Sequence, residues 1–579
     1  MPRRGGSLEI WSDTELGDRD FQALEVAPLE ARLDAEIAKL EKGLFDEELE
    51  RFAAETLPDL VNIRQRLAER RRDYLRRQES TTKDDVRWPV FTSAADISLT
   101  AGGAFRHRVS WSGTMPVQVK MWGMGGRKED APAELRFDPV TRELTGTWEK
   151  PGDYKVYFVL LDAQFGKIVR QVQTFTMHVA APRKSPAWLA KSTIYQVWPR
   201  AFTKEGTIAA ATKRLGELKE LGIGIVYLAP VCEMDDDKNP EFWSTRQKWS
   251  GYTSGTNPYR IKDYTKVDPE FGTEDDLKAF VAAAHKLGMK TMLDVVYLHC
   301  GPNASFRKEH PDWIKADAGT STWGFPKLNF ESKELRAHLI AQLVHWTKDV
   351  GFDGFRCDVG DQVPLDVWRE ARAAVEAVKK EVVFLDDGSS AELGEVFDLW
   401  YGVKSQLRGL YQIMDGRHPA SYFVEQYKAE TASGTPSARQ IRYTDNHDIS
   451  NDEYELRQET KWGEKRCEAA LALCFALDGV PMLATGQECA WAKRVSIYGK
   501  APVDRAATGE AGTRRFKLLR NLIALKKTQP FSAWKLEWNV AEKPEEEIAF
   551  DRVSPDGKDR RRCRFNLATG VWSIDGFRR

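Results

Sequence analysis

The stretch GFDGFRCDVG, residues 351–360, decides how this chain is read. GFRCD is a short, mostly apolar run that ends just before an amphipathic helical pattern, as a buried strand feeding a helix would. Alternate residues of a strand point to the same side, so Arg356 and Asp358 share one face at the strand's C-terminal mouth. A nearby opposite charge favours the carboxylate. An ionised, oriented aspartate is what a glycosidase nucleophile requires. A structural ion pair would show the same Arg-x-Asp pattern, so the rest of the chain has to decide between the two.

Outward from this stretch the same rhythm repeats. From Ile194 short apolar runs alternate with helical patterns: IYQV, then KRLGELKELG, IVYLAPV, DLKAFVAAAHKLG and KTMLDVVYL. Such alternation implies parallel strands joined by crossover helices. Candidate strands fall at 194–197, 224–229, 290–296, 354–358, 382–386, 397–401, 440–444 and 481–484. Eight strands within residues 188–533 predict a (β/α)8 TIM barrel with insertions, whose active site belongs at the C-terminal ends of the strands.

The flanking regions have other patterns. In residues 1–88, Leu33, Ile37, Leu40 and Leu44 step at helical spacing, and Leu60, Ile63 and Leu67 do so again after Pro58. This predicts a helical hairpin or short coiled coil, whose basic run RLAERRRDYLRRQ is a solvated face and whose apolar face offers a homodimer contact. Residues 93–181 switch to strand-like runs (FRHRVSW, MPVQVKMW, YKVYFVLL, VQTFTMHV) and predict an immunoglobulin-like β-sandwich. GMGG at 123–126 opens no helix, which argues against a phosphate loop. Residues 534–579 leave room for a short C-terminal β-domain.

Composition removes several classes of function. With 42% hydrophobic and 30% charged residues, the chain is expected to be soluble and globular. A net charge of −1 argues against nucleic acid as a partner. No run approaches 18 apolar residues, so no membrane span is expected. The opening MPRRGGSLEIW lacks the apolar core of a signal peptide. The seven scattered cysteines form no CxxC and no Cys/His metal spacing. Together these features predict a cytoplasmic protein.

The polar residues at the predicted strand ends converge. Strand three ends near Asp294 and His299, and strand four at Arg356 and Asp358. Strand five ends at Asp386 and Asp387, and strand seven at Asn446, His447 and Asp448. A mouth ringed by carboxylates, two histidines and an arginine suits a glycosidase, which needs a nucleophile, an acid and groups to grip sugar hydroxyls.

The segments DVVYLH, GFRCDVG, FLDDG and TDNHD resemble, in content and order, the four motif regions of the α-amylase family of retaining glycoside hydrolases. GVPMLATGQE at 479–488 resembles that family's eighth strand, and the resemblance covers 188–533. FPKLN at 325–329 is similar to the MPKLN signature of the neopullulanase and cyclomaltodextrinase branch, and VGDQV is closer to that branch's VANEV than to the Lys-His pair of many α-amylases. The resemblance implies hydrolysis or transglycosylation of α-glucosidic bonds in maltooligosaccharides, cyclodextrins or related glucans by double displacement. It implies Asp358 as nucleophile, Arg356 as the group that keeps it ionised, and Asp448 as the carboxylate that grips and helps distort the sugar. His299 and His447 would bind sugar hydroxyls, with Asp294 also among the substrate-binding residues. Tyr259, in the segment 257–273, would stack under the sugar.

Two positions depart from the family pattern. The Asn that commonly ligates calcium before the first-motif His is Leu298 here, which cannot bind calcium; no metal or other cofactor is expected. The general acid is a Glu in the family, and alignment on Phe397 and Asp398 puts Asp387 at that position. Its carboxyl falls back by about 1.5 Å, one methylene. A misplacement of about 1 Å can lower a rate on the order of 10²-fold. Three readings follow: a backbone shift lets Asp387 act as acid, Glu392 or Glu395 swings in, or the chain is a catalytically impaired α-glucan-binding protein.

Overall fold

The computed structural model describes residues 90–577, apart from segments at 93–95, 102–103, 113–116, 123–134, 139, 149–150, 163–168, 181–182, 245–246, 249–254, 316–320, 322, 389–390, 433–435, 450–456 and 540–542. The hairpin expected for residues 1–88 and the GMGG segment lie outside the described residues. The chain divides between Pro182 and Arg183 into two compact units.

In the first unit a four-stranded sheet sets Gly152–Asp162 between Val117–Trp122 and Val169–Ala180, and Asp96–Thr100 runs parallel to the last of these. Ala104–Arg108, Glu143–Thr147 and Arg136–Asp138 form a second, antiparallel sheet. Alternating residues Val156, Phe158, Phe175 and Met177 are fully buried between the sheets, where Phe137 meets Phe158 edge-on at 5.0 Å. The unit is a β-sandwich.

In the second unit the strands β1 (Ile194–Val197), β2 (Ile225–Leu228), β3 (Lys290–Val296), β4 (Gly354–Asp358), β5 (Val383–Asp386), β6 (Leu399–Tyr401), β7 (Gln440–Arg442) and β8 (Val480–Ala484) close a parallel barrel in sequence order, β8 pairing with β1. These are the strands expected from the sequence. Their residues are buried almost without exception, because the helical layer covers one face and the barrel interior the other. Helices α1 (Leu215–Leu221), α2 (Glu274–Lys286), α3 (Lys333–His345), α4 (Leu365–Val378), α5 (Ala420–Ala432), α6 (Glu464–Ala476) and α7 (Gly509–Lys526) make the crossovers. Between β5 and β6 the described residues form a 3-10 turn, Ala391–Glu395.

Local chemistry sets these boundaries. Thr273 and Asp276 form a reciprocal capping box at the start of α2, and Leu277, Phe280, Val281 and Ala284 make its buried stripe. The turn into β4 passes through Gly351 at φ 102°, a conformation that glycine adopts without a Cβ penalty.

Two insertions shape the mouth. Between β2 and α2, Cys232–Met234 pairs with Ile261–Val267, and Tyr259 enters just before the second of these strands. Between β3 and α3 the FPKLN segment folds back, with bridges His299↔Lys327 and Ile314↔Leu328. After α7 the strands Lys535–Trp538, Ile548–Val553, Arg560–Asn566 and Val571–Ile574 form an antiparallel sheet. It packs on α5 through Trp538 and Tyr427, 5.0 Å apart.

Candidate active site

The register of β3, β4 and β5 assembles the carboxylates. Asp294 lies opposite Arg356. Arg356 lies opposite Leu385, and Cys357 opposite Asp386. Continuing this register one residue places Asp387 level with Asp358 on the neighbouring strand end, and the Asp387 N–H donates to the Cys357 carbonyl at 3.3 Å. Because side chains alternate, Arg356, Asp358 and Asp387 share the inner face, while Asp386 takes the outer parity. Asp386 is indeed fully buried and does not line the mouth.

Arg356 is the hub. It is fully buried. Its Nη1 donates to Asp358 Oδ1 at 2.7 Å and to Asp294 Oδ1 at 3.0 Å. Its Nη2 lies 2.6 Å from Asp387 Oδ1. That last contact is an ion pair without hydrogen-bond alignment. The sequence pairs Arg356 with Asp358 alone; the barrel instead gives one guanidinium three carboxylates. Burial therefore pushes the Asp358 carboxyl well up, Arg356 opposes this, and the like charges of Asp387 and Asp294 add to it. Burial also raises Asp294 to about 6, against the pull of Arg356. With three acids on one cation, the cluster retains a proton well above the usual carboxylate range.

The chain leaves β4 through a strained residue. Val359 has φ 48°, in the left-handed region that β-branched side chains avoid. The turn continues through Gly360, where a Cβ would sit 2.6 Å from Asp386 Oδ1. This sharp exit ends β4 at Asp358 and leaves its carboxyl facing the mouth.

Histidines and tyrosines complete the ring. His299 Nε2 donates to the Tyr259 carbonyl at 3.0 Å, and burial lowers its pKa to about 4, so the ring is neutral. Its Nδ1, buried without a partner among the described residues, remains as an acceptor. The Tyr259 ring stacks on His447 at 5.3 Å, and His447 Nε2 lies 3.4 Å from Asp448 Oδ2.

These groups border a cavity of about 120 Å3. Tyr259, His299, Asp358, Asp387, His447 and Asp448, all named from the sequence, line it. Asp294 is a correction. It is only 1% exposed, and its oxygens are occupied by Arg356 and by the hydroxyls of Tyr227 (2.5 Å) and Tyr259 (3.0 Å). It supports the ring from below and offers no atom to a ligand. Arg356 is likewise buried beneath the ring, not exposed to the cavity. Glu395 is turned away, paired with Arg369 Nε at 2.9 Å, so among the described residues Asp387 is the carboxyl facing Asp358 from β5. Asn257, which opens the segment carrying Tyr259, also lines the cavity, as do Ser244, Trp323, Ile497 and Tyr498, which no sequence pattern marks. Phe325, from the FPKLN segment, packs on His299 at 4.9 Å. A larger cavity of about 430 Å3 lies between α1 and α7, outside the carboxylate ring. Chemistry, not size, therefore identifies the site.

Comparison with known proteins agrees with this geometry. Residues 187–320 match the family described as alpha amylase, catalytic domain. The chain is 28% identical over 331 residues to an alpha-amylase of Haloarcula japonica, covering 53% of this chain and 45% of that one. It is 23% identical over 444 residues to an intracellular maltogenic amylase of Bacillus subtilis, covering 65% and 69%. Among solved structures, an alpha-amylase from Lactobacillus plantarum superposes with a TM-score of 0.57 at 25% identity, over 68% of this chain and 97% of that one. The match thus spans less than half the length of the Haloarcula protein.

Proposed function

We propose, on the premise that residues 187–320 match the alpha-amylase catalytic-domain family, that the protein is a retaining glycosidase. Its substrates are α-glucosidic bonds of maltooligosaccharides, cyclodextrins or related glucans, cleaved or transferred by double displacement. The observation that supports this best is the single guanidinium of Arg356 reaching Asp358 at 2.7 Å and Asp387 at 2.6 Å beside one cavity. Two carboxyls held by the two Nη atoms of one guanidinium are kept near each other, as a retaining pair requires. Asp358 attacks the anomeric carbon and Asp387 gives a proton to the departing oxygen, leaving a glycosyl ester on Asp358. Water or an acceptor sugar then attacks that ester while Asp387 takes a proton back. Asp448 and His447 hold the sugar, and His299 Nδ1 accepts from one of its hydroxyls.

A second reading has its own support. Asp387 Oδ1 is drawn to 2.6 Å from Arg356 Nη2, and its side chain is one methylene shorter than a glutamate, so the carboxyl is held back from the departing oxygen. In that case the chain binds α-glucan but cleaves it poorly. Comparing maltooligosaccharides with α-glucosyl fluoride, whose leaving group needs no proton, separates the two. We expect the wild type to turn over both. Asp387→Asn should lose about 10²- to 10⁴-fold on maltooligosaccharides and far less on the fluoride. Turnover of the fluoride alone, with maltooligosaccharide activity gained in Asp387→Glu, would establish the impaired reading. No turnover of either would reject the glycosidase.

We also place the protein in the cytoplasm. All seven cysteines are buried free thiols, which suits a reducing compartment. Among the described residues no helix is long and apolar enough to cross a membrane.

A further inference from the structure

Gln196 on β1 has no part in the steps above, yet it is fully buried and its side-chain amide lies 3.0 Å from His447 Nδ1. The proton positions around His447 follow from one chain of hydrogen bonds. Arg356 Nη1 donates to both oxygens of Asp294, at 3.0 and 3.2 Å, so Asp294 acts as an acceptor. The Tyr259 hydroxyl has one hydrogen, and its 3.0 Å contact with Asp294 Oδ2 uses it. The Tyr259 oxygen is then an acceptor toward His447 Nε2, 2.9 Å away, so Nε2 carries a hydrogen. A neutral imidazole has a single N–H. The atom facing Nδ1 is Gln196 Nε2, which can only donate, so in this arrangement Nδ1 is a lone pair and the ring is neutral. The ring cannot swing free, because Trp198 packs on it at 4.8 Å and Tyr259 at 5.3 Å.

We infer that Gln196 is a positioning residue: its amide N–H holds His447 as the neutral Nε2–H tautomer and aims that N–H at Tyr259 and Asp448. Among the described residues, the groups facing His447 include Asp448 beside it, Tyr259 from the β2–α2 insertion with Asp294 behind it, and the uncharged Trp198 and Gln196 from the β1 segment. The amide thereby links the Asp448 side of the cavity to the Arg356 cluster. A glutamate in place of Gln196 can only accept, which reverses the demand on Nδ1.

The test is the side-chain 15N spectrum of the full-length protein near neutral pH, with His447 assigned by difference against His447→Gln. In the wild type Nδ1 should be unprotonated and Nε2 protonated. Gln196→Glu should place a hydrogen on Nδ1, and Gln196→Met should leave both tautomers populated. Protonated Nδ1 in the wild type would overturn the inference without any variant needing to fold, and so would a wild-type pattern in Gln196→Glu. The consequence for activity rests on the glycosidase reading. There Gln196→Met should lower kcat/KM for maltooligosaccharides about tenfold, mainly through KM. The spectrum needs no substrate, so its failure is distinct from failure of that reading, which shows as no turnover by the wild type.

Discussion

Asp353 and Asp358 stand at opposite ends of β4, and their surroundings are opposite too. At the bottom, Asp353 accepts from the Thr291 N–H at 2.9 Å and meets His285 Nε2 at 2.6 Å, Lys379 Nζ at 2.9 Å and Lys290 Nζ at 3.4 Å. Burial alone would raise it, but these partners outweigh burial and hold its carboxyl well below the usual range. At the top, Asp358 shares one arginine with two other carboxylates and is pushed up. The bottom has cations in surplus; the mouth has acids in surplus. The first arrangement stabilises a fold, and the second leaves groups that can exchange protons and attack.

Breaking each end should have opposite consequences. Asp358→Asn should lower maltooligosaccharide turnover by more than about 10⁴-fold. Its thermal midpoint, read by calorimetry, should hold or rise, because one of three mutually repelling carboxylates is gone. Asp353→Asn should instead lower the unfolding free energy by about 3 kcal/mol in urea titrations, with kcat within about twofold of the wild type. A large loss of kcat there would mean that the bottom of β4 is not separable from the mouth.

The smallest effect is in the pH dependence of stability, and its sign differs between the two ends. Asp353 is depressed in the folded state, so its contribution is present above the ordinary carboxylate range and fades as pH falls toward its folded value. Asp294 is raised to about 6, so its contribution is present at low pH and fades as pH rises from about 4 through 6. Thermal midpoints of Asp294→Asn should therefore fall less than those of the wild type across that interval. Asp353→Asn should remove only the acid-side slope. Equal slopes in both variants would show that the contrast between the two ends is not carried by these aspartates.

Much of this was legible in the chain. The barrel strands stand out because residues buried on both faces leave continuous apolar runs, as in IYQV and VFLD. Arg356 and Asp358 follow from a period of two. The β-sandwich strands alternate for the same reason, with one face of each sheet packed on the other. Strand ends are less clear: 440–444 shortens to Gln440–Arg442, where the ladder pairing with β6 and β8 ends. Asp294 was misplaced, because its position on β3 says nothing about how deep it lies. Ser244 and Tyr498 come from long insertions after β2 and β8 and meet only in the folded protein, their hydroxyls 3.3 Å apart.

The sequence by itself therefore determined the strand order, the inward parity of Arg356, Asp358 and Asp387, and the one-methylene deficit at Asp387. These depend on local periodicity and covalent length. Only the tertiary structure decided that three carboxylates share Arg356, that Asp294 lies beneath the cavity, and that Gln196 reaches His447 from the neighbourhood of β8. The shared guanidinium comes from the lateral pairing of β3, β4 and β5, and the Gln196 contact exists only once β8 pairs with β1 and the barrel closes, because strand pairing and closure, not sequence separation, set which polar groups meet.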